Sequence, residues 1–259
     1  MEAADYMKIY KEEEVCFYRG TKKIYGKLYL PEKNGPLPLV IMEHGFGGNL
    51  TLMENYARSF SENGFAVYAF DFAGGGVLSR SDGKMTEMSV LTEAADLNTV
   101  IDGLKDRNEF DPENIFLFGG SQGGFVATYV ASARPSDIRA LVVLYPAYVL
   151  QDDAWRRSPD PQNIPETLDV MGMTIGRIYN ADAMSFDIYD HMKDYPGNVL
   201  IVHGTGDEIV PLSYSERAAR TFPCARLVTI KDAGHGFSGK DESDAAETAI
   251  RFIKENLTV

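Results

Sequence analysis

The chain has 259 residues, 44% of them hydrophobic and 24% charged, with a formal net charge of −13. That length and balance fit one large α/β domain with a buried core, and they exclude disorder and fibrous repetition. An acidic field of this size repels phosphate backbones and anionic lipid, which argues against nucleic-acid and membrane partners and otherwise serves solubility.

The two cysteines, Cys16 and Cys224, stand far apart and outside any CxxC pattern, so no disulfide framework is indicated. The first 14 residues lack the basic start and apolar centre of a signal peptide. No apolar run approaches the roughly 20 residues needed to span a bilayer. These features together predict a cytoplasmic protein.

Along the chain, short apolar runs alternate with helical patterns, the signature of a mostly parallel sheet wrapped by helices. The opening differs: residues 15–19 and 24–30, joined by Gly20-Thr21-Lys22-Lys23, predict an antiparallel hairpin at the sheet edge. A buried strand over 39–42 leads into His44-Gly45-Phe46-Gly47-Gly48, and a helix over 52–62 closes at Asn63-Gly64. A strand at 66–70 ends at Asp71 and a glycine-rich loop. Apolar residues at Val90, Leu91, Ala94, Leu97, Ile101 and Leu104 mark a helix within 89–107. Asp111-Pro112-Glu113-Asn114 reads as a turn before a strand at 115–118. A small-residue helix to about Ala133 and a strand over 140–145 follow. Residues 147–196, with Trp155 and four prolines, break the rhythm and read as a lid inserted into the single domain that spans 1–259. The rhythm resumes with a strand at 198–202, a helix at 213–221, a strand at 226–230 and an amphipathic helix at 241–256.

Gly119-Gly120-Ser121-Gln122-Gly123 is a G-x-S-x-G placed between an all-apolar strand and a helix. A strand-to-helix turn of this kind lifts a serine hydroxyl above the sheet edge, and flanking glycines remove the Cβ atoms that would clash there. A hydroxyl needs a base to become a nucleophile, and this type of fold supplies partners in the order serine, acid, histidine. His235, in the glycine-flanked loop 233–237, is the expected base, and Asp207, five residues after Val202, the expected acid. Asp232 is the rival acid, and His203 is expected to be a packed or hydrogen-bonded strand-end residue. The remaining histidines show neither HExxH nor HxH spacing, so no metal and no cofactor is expected. Attack on a carbonyl also needs two preorganised donors for the oxyanion, expected to be the amides of Gln122 and Phe46.

The set HGFGG, GGSQGG, HGTGDEIVP and AGHGF resembles the bacterial cinnamoyl/feruloyl esterases of the α/β-hydrolase superfamily, from about residue 15 onward. One departure is Gly120, where such enzymes often carry histidine before the serine. The resemblance implies an α/β-hydrolase fold, a Ser-His-Asp triad, a small lid over the acyl pocket, and hydroxycinnamate esters as substrates. It also implies that polar lid residues meet the substrate's phenolic hydroxyl, a role that falls on Asp153 and Tyr179. Independently, Phe46, Trp155, Tyr179 and Phe186 are expected as apolar walls of such a pocket. The partner is then a small-molecule ester, with a homodimer left open. The alternatives are a short-chain carboxylesterase or monoacylglycerol lipase, an acyltransferase, and a non-catalytic binding protein on the same fold.

Overall fold

The computed structural model describes residues 10–33 and 35–258. Residues 1–9, part of the segment read above for signal-peptide character, lie outside that range, as do Asn34 in the predicted link and Val259 at the end of the predicted domain. The described residues form an eight-stranded sheet in the order β1-β2-β4-β3-β5-β6-β9-β10, with a separate two-stranded sheet, β7-β8. In chain order the strands of the large sheet are β1 (Tyr10–Arg19), β2 (Lys22–Pro31), β3 (Leu37–Glu43), β4 (Ala66–Phe70), β5 (Phe110–Gly120), β6 (Ala140–Leu144), β9 (Asn198–Gly204) and β10 (Ala225–Ile230). Strands β4, β3, β5, β6, β9 and β10 run parallel, and the β1–β2 hairpin adds to β4 antiparallel.

The central strands read as continuous apolar runs because helices cover both faces of the sheet. Side chains alternate: Ile41, Leu117, Val143 and Ile201 enter one core, while Met42, Phe118, Val142 and Val202 enter the other. The first core is closed by α2 (Val90–Lys105), α3 (Gln122–Ala133) and α7 (Leu212–Thr221). The second is closed by α1 (Glu54–Glu62) and α8 (Gly239–Glu255).

The hairpin is longer than its apolar pattern indicates. Arg19 pairs with Lys22 across a two-residue turn in which Gly20 takes φ +62°, and the pairing runs out to Tyr10↔Pro31. The charged stretch Glu12-Glu13-Glu14 belongs to the strand because its edge position lets polar side chains find partners. Tyr25 donates to Glu14 at 2.8 Å, and Lys27 lies 3.7 Å from Glu12. Residues 111–114 form the expected turn, with Glu113 N–H bonded to Asp111 Oδ1 at 3.0 Å, but as a bulge inside β5.

Residues 147–196 form an insertion of α4 (Leu150–Arg157), β7 (Thr167–Val170), β8 (Met173–Gly176), α5 (Arg177–Met184) and α6 (Ile188–Met192). It roofs the carboxyl end of the sheet beside α2 and α3, where Ile175, Tyr179, Ile188 and Met192 join the first core.

Glu43, the last residue of β3, is fully buried, and neither carboxylate oxygen has a hydrogen-bond partner among the described residues. Burial drives its pKa well above the usual carboxylate range. The folded protein therefore holds this proton more tightly than the unfolded chain does. The associated stability is complete below the unfolded value near 4.5 and is lost as pH rises through the folded value. Glu43→Gln is expected to flatten the fall in melting temperature as pH rises above the ordinary carboxylate range. Melting curves of variant and native protein that stay parallel above that range would refute a protonated Glu43.

Candidate active site

Ser121 occupies the turn between β5 and α3 with φ 53° and ψ −119°, a backbone region that residues with a side chain rarely adopt. The surrounding structure enforces it. Ser121 N–H donates to Leu144 O at 2.9 Å, and Ser121 O accepts from Ala147 N–H at 2.9 Å. The turn is tight enough that a Cβ at Gly119 would stand 2.5 Å from the Gly123 backbone, and one at Gly123 would stand 2.4 Å from Glu43 O. Glycine at both positions is thus a steric requirement.

The loop after β10 brings His235 to this turn. Its Nε2 lies 2.9 Å from Ser121 Oγ, and its Nδ1 lies 2.8 Å from Asp207 Oδ2. An ionised carboxylate only accepts, so Nδ1 carries the proton and Nε2 is left to accept from the serine hydroxyl. The Tyr145 ring packs edge-on against the imidazole at 4.9 Å between centroids.

Asp207 lies in the loop after β9 and is held at both oxygens. Oδ1 accepts from Ile209 N–H at 2.9 Å and Val210 N–H at 2.8 Å. Oδ2 takes His235 and also lies 3.2 Å from His203 Nε2. His203 is buried; its Nε2–H reaches Val210 O at 2.9 Å, and Nδ1 accepts from Ser215 Oγ at 2.7 Å. Burial pushes its pKa below the ordinary imidazole value, which keeps it neutral. The strand-end packing expected of His203 is present, and a contact with Asp207, four residues away, is added to it. Asp232 is exposed, at φ +58°, and its backbone N–H binds Thr205 Oγ1 at 2.8 Å.

Gln122 opens α3, so its N–H is among the four that a helix leaves without an intrahelical partner. Facing it is the loop 44–48 after β3, which carries Phe46. His44 braces that loop. It is buried, its Nδ1–H donates to Gly45 O at 2.8 Å, and its Nε2 accepts from Phe72 N–H at 3.1 Å. Neither bracing contact is visible in a linear motif, although a histidine at a strand end followed by glycines is a usable signal for one.

A cavity of about 230 Å³ opens on Ser121 and His235. Its walls include Phe46, Met53, Tyr56, Tyr145, Met171 and Phe237, and among the described residues no Asp or Glu lines it. The lid residues expected around an acyl pocket lie elsewhere. Tyr179 is buried and donates to the Gln122 side chain at 2.6 Å, while Gln122 Nε2 donates to Glu93 Oε2 at 2.8 Å. Its ring touches Phe46 at 5.4 Å, so it backs the cavity wall without reaching the open space. Asp153 pairs with Arg156 at 3.0 Å on α4, Trp155 is 41% exposed, and Phe186 packs on Phe125 and Tyr129. The reason is geometric: Tyr179 turns toward the first residue of α3, Asp153 toward Arg156 on its own helix and Trp155 toward the surface, and none of them lines the cavity. Tyr179 instead ties α5 to the first residue of α3 through a buried hydrogen-bond chain.

Sheet order, inserted roof and strained serine turn define a protein of the α/β-hydrolase class. The chain belongs to the family described as serine aminopeptidase, S33, whose model matches residues 35–181; residues 187–255 match a second model, described as a TAP-like protein. Among solved structures it is similar to Est1E from Butyrivibrio proteoclasticus with ferulic acid bound, with a TM-score of 0.86 and 28% identity, covering 93% of this chain and 98% of that one. A monoacylglycerol lipase from Paleococcus ferrophilus shares the fold, with a TM-score of 0.69 and 20% identity over 90% of this chain and 99% of that one. The uncharacterized protein YfhR of Escherichia coli O157:H7 is 23% identical over 239 residues, 88% of this chain and 76% of its own length. No helix among the described residues is long and apolar enough to cross a membrane.

Proposed function

We propose that this protein is a carboxylic ester hydrolase working through an acyl-enzyme on Ser121. The observation that carries the reading is the continuous hydrogen-bond path from Ser121 Oγ to His235 and on to Asp207. In this reading Ser121 Oγ attacks the ester carbonyl as His235 Nε2 takes its proton. Asp207 holds the tautomer and supports the imidazolium. The amides of Phe46 and Gln122 receive the developing oxyanion, a donor pair in which each member is worth about 2.7–4 kcal/mol of barrier. Collapse of the tetrahedral species expels the alcohol, which takes its proton from His235. Water activated by the same histidine then releases the acid.

An ester is favoured over an amino-terminal peptide, despite the family's descriptive name. A free α-ammonium group calls for a carboxylate, and none among the described residues lines the cavity. Within esters, the hydroxycinnamate class is supported by the likeness to Est1E, whose structure holds ferulic acid. The position of Asp153, Trp155 and Tyr179 outside the cavity favours a second reading, a short-chain carboxylesterase.

The experiment is a comparison of methyl ferulate, methyl butyrate and alanine p-nitroanilide on purified protein. Under the hydroxycinnamate reading kcat/KM for the ferulate exceeds that for the butyrate by at least about tenfold, equivalent to 1.4 kcal/mol of discrimination. The reverse ratio selects the short-chain reading. Turnover of the anilide alone would overturn both.

A further inference from the structure

The cavity has a feature that neither the triad nor the lid accounts for. Tyr56, on α1, forms part of its wall and is 2% exposed, and its hydroxyl has no hydrogen-bond partner among the described residues. A buried phenol without a partner is unfavourable and calls for an occupant that can complete it. Burial also raises the pKa of this phenol, so the group remains an O–H donor throughout the physiological range.

The space beside it exists because residue 120 is glycine. Gly120 lines the cavity, and a Cβ there would stand 3.4 Å from Met53 Cε and 3.4 Å from Tyr145 Oη. Any longer side chain would extend into the volume that now opens between Ser121 and α1. The departure from histidine noted in the sequence therefore has a structural effect: it leaves a compartment next to the nucleophile.

We propose that this compartment is a substrate subsite, in which Tyr56 donates a hydrogen bond to an oxygen on a compact aromatic arm of the ester. The inference rests on the esterase reading above and deepens it. Size limits the arm: an apolar cavity of about 150 Å³ accepts a benzene ring, so the whole cavity of about 230 Å³ has room for one ring on a short linker. Tyr145, Phe237 and Phe46 supply aromatic walls suited to a ring, and Met53 and Met171 supply adaptable ones. The oxygen falls to Tyr56 because the other polar side chains at the cavity are engaged, Ser121 and His235 with each other and the Tyr145 hydroxyl with the Phe237 backbone. An oxygen-bearing aryl arm could belong to the acyl or the alcohol half, and matched esters distinguish the two.

The test uses two pairs. Methyl 3-(4-hydroxyphenyl)propanoate against methyl 3-phenylpropanoate probes the acyl half, and 2-(4-hydroxyphenyl)ethyl acetate against 2-phenylethyl acetate probes the alcohol half. In one pair the native protein should prefer the hydroxylated ester by about five- to tenfold in kcat/KM, the contribution of one neutral hydrogen bond. In Tyr56→Phe that ratio should collapse toward one. Gly120→Val, checked by its melting curve, should reduce kcat/KM for the aryl esters of that pair about tenfold more than for methyl acetate, because its methyl groups fill the compartment. A ratio near one in both pairs, a ratio unchanged by Tyr56→Phe, or an equal loss on aryl and methyl esters in Gly120→Val overturns the subsite and leaves the esterase reading standing. Failure of the native protein to hydrolyse any of the esters overturns both.

Discussion

Ser121→Ala is expected to lower kcat for any ester the protein hydrolyses by about 10⁵- to 10⁶-fold, the loss seen when the nucleophile of a serine triad is removed. In the proposed mechanism the hydroxyl forms the covalent bond, and neither His235 nor the proposed oxyanion amides can substitute for it; what remains is water attack in a preorganised site. The same change should abolish labelling by a fluorophosphonate probe while leaving the melting curve near that of the native protein. The Oγ atom is a single hydrogen-bonding group facing the cavity, and loss of the side-chain oxygen relieves nothing in the core. Alanine is no better suited than serine to φ 53°, so the backbone strain is unchanged. Labelling that persists in Ser121→Ala would place the nucleophile elsewhere and remove the catalytic reading altogether.

Asp207→Asn is expected to reduce kcat by about 10⁴-fold with little change in fold, for a reason of protonation and not of shape. The carboxylate accepts at both oxygens: two backbone N–H groups at Oδ1, and His235 with His203 at Oδ2. An asparagine keeps the backbone bonds by placing its carbonyl oxygen at the Oδ1 position. Its NH₂ then faces His235 Nδ1 and His203 Nε2. A donor there favours the tautomer of His235 that carries its proton on Nε2, and that nitrogen can no longer take the proton of Ser121. His203 meets the same donor with an N–H of its own, so the substitution also disturbs the brace behind the acid. The rate profile should therefore show a loss in kcat much larger than any change in KM. An Asp207→Asn protein with kcat within about tenfold of native would mean that Asp207 does not set the histidine tautomer.

The Tyr179–Gln122–Glu93 chain gives the insertion a defined relation to the catalytic turn. Glu93 is buried, and burial raises its pKa well above the carboxylate range even though the Gln122 hydrogen bond opposes the shift. A neutral Glu93 and a neutral Tyr179 grip the two ends of the Gln122 amide, so the residue whose N–H is proposed to meet the oxyanion cannot rotate freely. Helix α5 is in this way coupled to the first turn of α3 by polar contacts in an apolar setting, where hydrogen bonds are stronger than in water.

Reading residues in order was enough to place the elements that bear Ser121, Asp207 and His235, because each depends on local chemistry. An apolar strand must end where Gly119 and Gly123 permit a sharp turn, and the loops after β9 and β10 must open at the same sheet edge. The β1 strand was legible only from residue 15, since Glu12 to Glu14 carry no apolar alternation and owe their place to partners on β2 and beyond. His203 and His44 were visible as motif members, but their hydrogen bonds to Val210 O and Phe72 N–H join segments that periodicity cannot relate.

Composition, apolar period and glycine spacing determined the class of fold and the strand-end loops that carry Ser121, Asp207 and His235, since backbone sterics and burial act over a few residues at a time. The tertiary structure alone decided the shape of the cavity, the exclusion of Asp153, Trp155 and Tyr179 from its lining, and a Tyr56 phenol without a partner among the described residues. Those are properties of volume left between side chains from distant segments, and volume is settled only when all of them pack at once.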